Sequence, residues 1–461
     1  MKEAMTSQQR AGLYTITITQ FSLVFMLSAV AVAVPAMGRE FGAKASELGL
    51  VESAYISAVA MLLLPVTRLA DMLGRGFVFV CGMAVFTLFS LVLPLSKDIM
   101  LFNFLRVFQG AGGAMMVTTG LAIIADLFPG KGRGRALGIS GAGVYLGLSA
   151  GPWLGGIITT HLGWRYIFYL GAVPALMCLV MALKALPVKP VVKRGQRFDW
   201  GGALLCAMGM VMLSQGGSHF NALSGKLMLV GGLLSLVAFL VWEARADCPL
   251  LDLKLFSGNR SFAYGSAVQF INYAATFGIT FLTSLYLQVV QGMTASQAGV
   301  VLMAQPLMQA LFSPLSGSMV ERWPAHRVAT LGMVLATLAL IGAGFFEPET
   351  TRIPVIIVLL FCGAGTAIFA TANTSVVMGS VTRDHYGVAS AMIAGMRTTG
   401  MTVSLVTISM VLAITVGAEA VSAENIPQFM QAMHIVLAGF ALFSAFGVLL
   451  SLKAPLVRRE I

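Results

Sequence analysis

Apolar residues in this chain fall into fourteen long runs separated by short polar stretches. The runs cover 13–36, 48–69, 77–95, 99–125, 136–160, 164–186, 199–217, 225–244, 262–289, 296–320, 326–346, 353–378, 387–417 and 430–452. A hydrocarbon layer about 30 Å thick is crossed by about 20 apolar residues rising about 1.5 Å each. That layer holds no water to satisfy backbone amides, so runs of this length are predicted to be helices. The pattern predicts an all-α polytopic membrane protein. Composition agrees: 10% of residues are charged and the mean hydropathy is +0.88, too apolar for a soluble domain with one core.

The net charge of +11 would suit a polyanion partner if it were concentrated on one face. Its distribution along the chain points to topology instead. Of the 29 Lys and Arg residues, Arg106 and Arg397 fall well inside runs, and six at or beyond run ends (Arg39, Lys44, Lys97, Arg165, Lys226 and Arg352) lie on the side opposite the termini. The remaining 21 share the side of the termini. That asymmetry predicts cytoplasmic termini and an even number of crossings, and it removes the reason to expect a nucleic-acid partner. Cys81, Cys178, Cys206 and Cys362 lie inside runs and Cys248 in a loop, so no disulfide or metal-ligand spacing is offered and no cofactor is expected. The first run follows Lys2 and Arg10 and is longer than a signal-peptide core, which predicts an uncleaved first helix.

The Pro- and Lys-rich stretch 186–199 follows six runs and reads as a linker. Three units are expected: a six-helix bundle at 13–186, a linker with a two-helix hairpin at 187–260, and a second six-helix bundle at 261–452. Two related halves would leave faint internal similarity. One trace is visible, with Thr67 four residues before Asp71 and Gly317 four residues before Glu321 at equivalent run ends.

The fifth run carries Gly143, Gly147, Gly151 and Gly155 four apart, with Pro152 and Gly156 beside them. Glycines at that spacing make a smooth stripe for close helix approach, and the proline permits a bend. Close packing and a rocking seam are both compatible with it. This string resembles the antiporter motif of the major facilitator superfamily. Asp71-Met72-Leu73-Gly74-Arg75 resembles its loop between helices 2 and 3, and Arg106-Val107-Phe108-Gln109-Gly110 its helix 4 motif. Fourteen runs, Phe198-Asp199-Trp200, Pro249-Leu250-Leu251-Asp252 and Leu285-Tyr286-Leu287-Gln288 are similar to the fourteen-helix drug:proton antiporter family. The resemblance covers essentially the whole chain. It implies that Asp71, Gly74 and Arg75 help latch the closed cytoplasmic side. There are departures: Met26 stands where that family carries an aspartate, nine residues before Pro35, and Thr67, Met72 and Gly76 replace its usual residues in the loop.

Away from the ends of the runs, within the expected membrane, the ionisable inventory is Glu52, Arg106, Arg397 and His434. A charge at mid-bilayer is costly unless it meets a partner or a wet cavity, so each is a functional candidate. Glu52 and His434 are the candidates for proton coupling, against a snorkelling glutamate and a packed histidine. Arg106, Gln109, Gln269, Asn272, Tyr273, Gln305, Gln309, Asn373 and Arg397 are candidates for a substrate cavity, against interhelical hydrogen-bond glue. Gln269, Asn272 and Tyr273 share one helix face by spacing. The resemblance implies a proton-coupled exporter of amphipathic small molecules in a bacterial inner membrane, multi-pass and monomeric, whose helices 1–6 rock against 9–14. An exporter or facilitator of a neutral or anionic metabolite or lipid, without proton coupling, is the alternative. No run holds a nucleophile with a base, and no loop is long enough for a catalytic domain, so an enzyme is not expected.

Overall fold

The computed structural model describes residues 5–128, 133–185, 198–246, 249–251, 253, 256, 258–381, 386–417 and 421–453. The expected linker at 187–197 lies outside them, as do the Asp252 position and the side chains of Asp71 and Glu321. Among the described residues the chain is helical, without strands. Its rods are α1 (Ser7–Phe41), α2 (Ala45–Leu73), α3 (Arg75–Val92), α4 (Ile99–Leu127), α5 (Arg133–His161), α6 (Arg165–Ala185), α7 (Trp200–Ser218) and α8 (Leu223–Glu243). After these, α9 (Arg260–Val290) breaks after Thr276 and ends in a π-helical turn, Tyr286–Val290. The pieces Ala295–Leu302 and Ala304–Arg322 form α10. The last four are α11 (Ala325–Ala343), α12 (Arg352–Gly379), α13 (Tyr386–Thr415) and α14 (Ile426–Leu452).

Twelve of these rods are long and apolar enough to cross a membrane. The expectation of fourteen equivalent crossings is thereby narrowed: α5 and α7 fall short in apolarity because glycines and small polar residues interrupt them. The helix starts are written locally. Thr6 and Gln9 close a capping box on α1, and Thr294 and Gln297 one on α10. Asp98, Asp199 and Asn259 cap α4, α7 and α9 by accepting a backbone N–H. Gly74 turns the chain between α2 and α3 at φ 97°, a conformation that side chains rarely adopt.

The two six-helix sets repeat one packing scheme. A Cβ on Gly112 in α4 would fall 2.7 Å from the Gly82 carbonyl of α3, and one on Gly365 in α12 2.7 Å from the Gly332 carbonyl of α11. Two residues earlier, Gly110 lies against the Tyr55 carbonyl of α2 and Gly363 against the Gln305 carbonyl of α10. Likewise Gly147 of α5 meets the Phe21 carbonyl of α1, and Gly400 of α13 meets the Phe270 carbonyl of α9. Close approach at these glycines sets helix spacing by van der Waals contact, the main attraction between helices in lipid.

The hairpin α7–α8 sits beside both sets. Its α7 packs on α2 and α13, with the hydroxyls of Ser53 and Ser214 3.2 Å apart and the Asn221 amide donating to the Ala413 carbonyl. Its α8 packs mainly on α7 and presents Leu227, Leu233, Leu234 and Val237 outward.

Candidate functional site

The bundle end where α1 begins is termed proximal, and the end where α1 stops distal. Among the described residues, the backbone-tight crossings between the two sets are distal. Ser284 Oγ of α9 donates to the Ala31 carbonyl of α1 at 3.0 Å, and Gln288 Nε2 donates to the Val32 carbonyl at 2.9 Å. A Cβ on Gly156 would lie 2.5 Å from the Ala295 carbonyl, and one on Gly299 2.1 Å from the Pro152 carbonyl, so α5 and α10 touch backbone to backbone. A Cβ on Gly49 would lie 2.0 Å from the Ser409 hydroxyl, where α2 meets α13. Toward the proximal end, Gly141, Gly317 and Gly395 have open space where a Cβ would point. Among the described residues, backbone contact between the sets is distal and the glycine faces toward the proximal end are open.

Arg106 of α4 is buried in the first set at 1% exposure. Its Nε donates to the Val51 carbonyl at 3.1 Å and its Nη1 to Gln109 Oε1 at 2.5 Å. Gln109 Nε2 donates to Ser90 Oγ at 2.7 Å, and Ser90 donates to the Phe86 carbonyl. The guanidinium lies over the rings of Tyr55 and Phe168, at 4.8 and 5.9 Å, a favourable cation–π placement. This chain ties α2, α3, α4 and α6 together. Glu52, buried beside it, interacts electrostatically with Arg106 but forms no ion pair with it among the described residues. Glu52 Oε1 and Arg106 Nη2 are both buried without a hydrogen-bond partner, a costly state for polar atoms. Met26 reaches the same network: its sulfur is 3.9 Å from Ser90 Oγ, and it fills the space beside Gly171 of α6.

The second set divides the remaining candidates. Gln269 accepts from Asn373, which also donates to the Gly265 carbonyl, so both join α9 to α12 as buried glue. Gln305 accepts from Thr280 and lies 3.7 Å from Cys362 Sγ; Gln309 donates to Thr366. Asn272 is fully buried with neither amide atom partnered. Its face-mate Tyr273 is half-buried and lies beside the half-buried Arg397 of α13, within electrostatic reach. The shared face of 269, 272 and 273 therefore splits between packing and an open side. His434 pairs with the Phe346 carbonyl at 2.8 Å, holding the end of α11 to α14 away from Arg106. Arg75 pairs with Asp126 at 2.9 Å near the proximal ends of α3 and α4.

Several participants escaped the sequence reading. Tyr145 of α5 donates to Ser313 of α10 at 2.8 Å, across the two sets, and Ser313 lies 3.5 Å from Thr371 of α12. Tyr145 also lies near Tyr273. It sits opposite the glycine stripe by helical phase, on the face of Pro152 and Gly156, which was a usable signal. Glycines 143, 147, 151 and 155 all pack on α1 inside the first set: a Cβ on Gly151 would fall 1.9 Å from Ser28 Oγ. The crossing to the other set belongs to Pro152 and Gly156. Nothing in the sequence marked Ser90, Ser284 or Ser313 among the many small polar residues of the spans.

Two pseudo-repeated six-helix sets closed at one end, with mid-depth polar groups between them, define a membrane transporter and not an enzyme. The chain belongs to the Major Facilitator Superfamily, whose sequence pattern matches residues 16–405 and 265–459. It is 28% identical over 370 residues to the riboflavin transporter RibZ of Clostridioides difficile, covering 79% of this chain and 80% of that one. It is 30% identical over 374 residues to the multidrug resistance protein Stp of Mycobacterium tuberculosis, covering 80% and 69%. A crystal structure of the peptide transporter POT in complex with sulfate superposes with a TM-score of 0.71 over 96% of this chain and 94% of that one, at 15% identity, a likeness of fold.

Proposed function

We propose that the protein exports amphipathic small molecules by alternating access, driven by protons, with the proximal end facing the cytoplasm of a bacterial cell. The observation that carries this reading is the one-sided closure: backbone-tight crossings at the distal end and open glycine faces at the proximal end. Rocking the two sets about the mid-depth cluster of Tyr145, Ser313 and Tyr273 would exchange the closed end for the open one. The basic residues gathered at the proximal end support its facing the cytoplasm. Relatives named for multidrug resistance and for riboflavin transport support a small-molecule cargo.

Glu52 is the group assigned to the proton. It is a buried carboxyl with an unpartnered oxygen beside a buried guanidinium, so a proton on it changes the local charge balance where α2 meets α4. The test is transport by purified protein in proteoliposomes with a trapped pH-sensitive dye. Glu52→Gln is expected to abolish accumulation driven by a pH gradient while leaving substrate binding measurable. Uphill accumulation by Glu52→Gln equal to the parent would remove Glu52 from the cycle. Met26, where relatives of the drug:proton class carry an acid, favours one second reading, an exporter of a neutral or anionic metabolite without proton coupling. Parental transport that moves no protons would select it.

A further inference from the structure

We propose that Arg397 is the charge-reading residue of the cavity and that the cargo is a small aromatic organic anion, bearing a carboxylate or phenolate. The inference rests on the exporter reading and deepens it. The two intramembrane arginines live in different circumstances. Arg106 is sealed at 1% exposure among the Val51 carbonyl, Gln109 and two rings. Arg397 is only partly buried, on the part of α13 near Gly395, whose Cβ position is open. Tyr273 of α9 lies beside it, close enough to interact electrostatically.

No carboxylate of a described residue pairs with Arg397. Asp126 is held by Arg75 and Glu40 by Arg165, both at bundle ends. Glu52 is buried in the other set beside Arg106. Taking about 1.5 Å per residue from the proximal helix ends, Tyr145, Tyr273, Ser313 and Arg397 lie about 14–20 Å deep, near the middle of the bilayer. A guanidinium held there with no carboxylate partner among the described residues favours an anion and opposes a cation. Its planar donor fork matches a carboxylate in two-point geometry. Tyr145 and Tyr273 add flat apolar faces with a polar edge, suited to an aromatic body carrying the charge. Tyr145 belongs to one set and Arg397 to the other, so a cargo touching both senses their relative position.

Fluorescein and a rhodamine ester share one ring skeleton and carry opposite charge, so their ratio isolates charge from size. Binding to purified full-length protein in detergent is measured by dye polarisation, and uptake in phosphatidylcholine proteoliposomes. The parent is expected to prefer fluorescein. Arg397→Gln should cut the fluorescein-to-rhodamine binding ratio about tenfold, the equivalent of about 1.4 kcal/mol. Tyr273→Phe, which keeps the ring, should shift the ratio in the same direction by less. An unchanged ratio in both variants, equal parental binding of the two dyes, or displacement of fluorescein by phosphatidylglycerol in place of small aromatic acids would overturn the proposal. Charge-selective binding that Arg397→Gln removes, in a parent that transports neither dye, would uphold the anion site and defeat the exporter reading instead.

Discussion

Ser284 Oγ donates to the carbonyl of Ala31 at 3.0 Å, the carbonyl that Pro35, four residues on, has no N–H to serve. The helix-breaking residue of α1 thus exposes an acceptor, and the opposite set supplies the donor. Gln288, one turn further along α9, adds a bond to the Val32 carbonyl at 2.9 Å and one to Ser284 Oγ at 3.1 Å. The bonds to the Ala31 and Val32 carbonyls cross between the two sets at the closed end, so they must break when that end opens.

Removing these donors should favour the distally open state. Each net hydrogen bond contributes about 0.5–1.5 kcal/mol, so Ser284→Ala with Gln288→Leu should raise the open population about tenfold. Spin labels at Leu162, just past the distal end of α5, and Val300 of α10, both exposed, report the change as a longer distance component. An unaltered distance distribution would mean that packing alone holds the end shut.

Glycines 151 and 156 should fail differently. Gly156→Leu pushes a side chain into the Ala295 backbone across the two sets and should stop distal closure, impairing transport in well-inserted, thermally stable protein. Gly151→Leu pushes into Ser28 and Ala29 within one set, where overpacking costs about 1–3 kcal/mol, and should lower the melting temperature. Melting curves and label accessibility on both variants separate the two outcomes; identical behaviour contradicts the assignment of faces.

Arg106→Lys retains the charge but cannot serve the Val51 carbonyl and Gln109 with the same fork. Transport should fall by about tenfold or more, since a bond to a charged group contributes about 1.5–3 kcal/mol, while insertion stays normal. Full activity of the lysine variant would reduce the role of Arg106 to its charge.

Topology is tested by cysteine labelling. Residues 195 and 459 should be accessible from the same, cytoplasmic side, and residues 97 and 226 from the other, as fourteen crossings with α5 and α7 both spanning require. Opposite-side labelling of 195 and 459 refutes that count.

Much of the architecture was legible because bilayer physics leaves little freedom. A run such as 353–378 has one stable form in hydrocarbon, and α12 occupies Arg352–Gly379. The repeat was less legible. Gly110 and Gly112 correspond in packing to Gly363 and Gly365, yet the residues around them differ, because glycine is kept for backbone contact while neighbours need only be apolar.

By itself the sequence determined the helical membrane class, the near-complete set of spans, the sidedness of charge and the short inventory of intramembrane ionisable groups. Those follow from local composition and the cost of bare polar groups in lipid. Only tertiary structure decided which of these groups are partnered. Arg106 and Arg397 look alike as single arginines in apolar runs, but one is sealed by Gln109, Tyr55 and Phe168 and the other is only partly buried, beside Tyr273. Tertiary structure likewise decided that the glycine stripe of α5 faces α1 while Pro152 and Gly156 face α10, and that Ser284 finds Ala31. The physical reason is that helix rotation and distant pairing arise from packing between segments more than 100 residues apart, which no local pattern encodes.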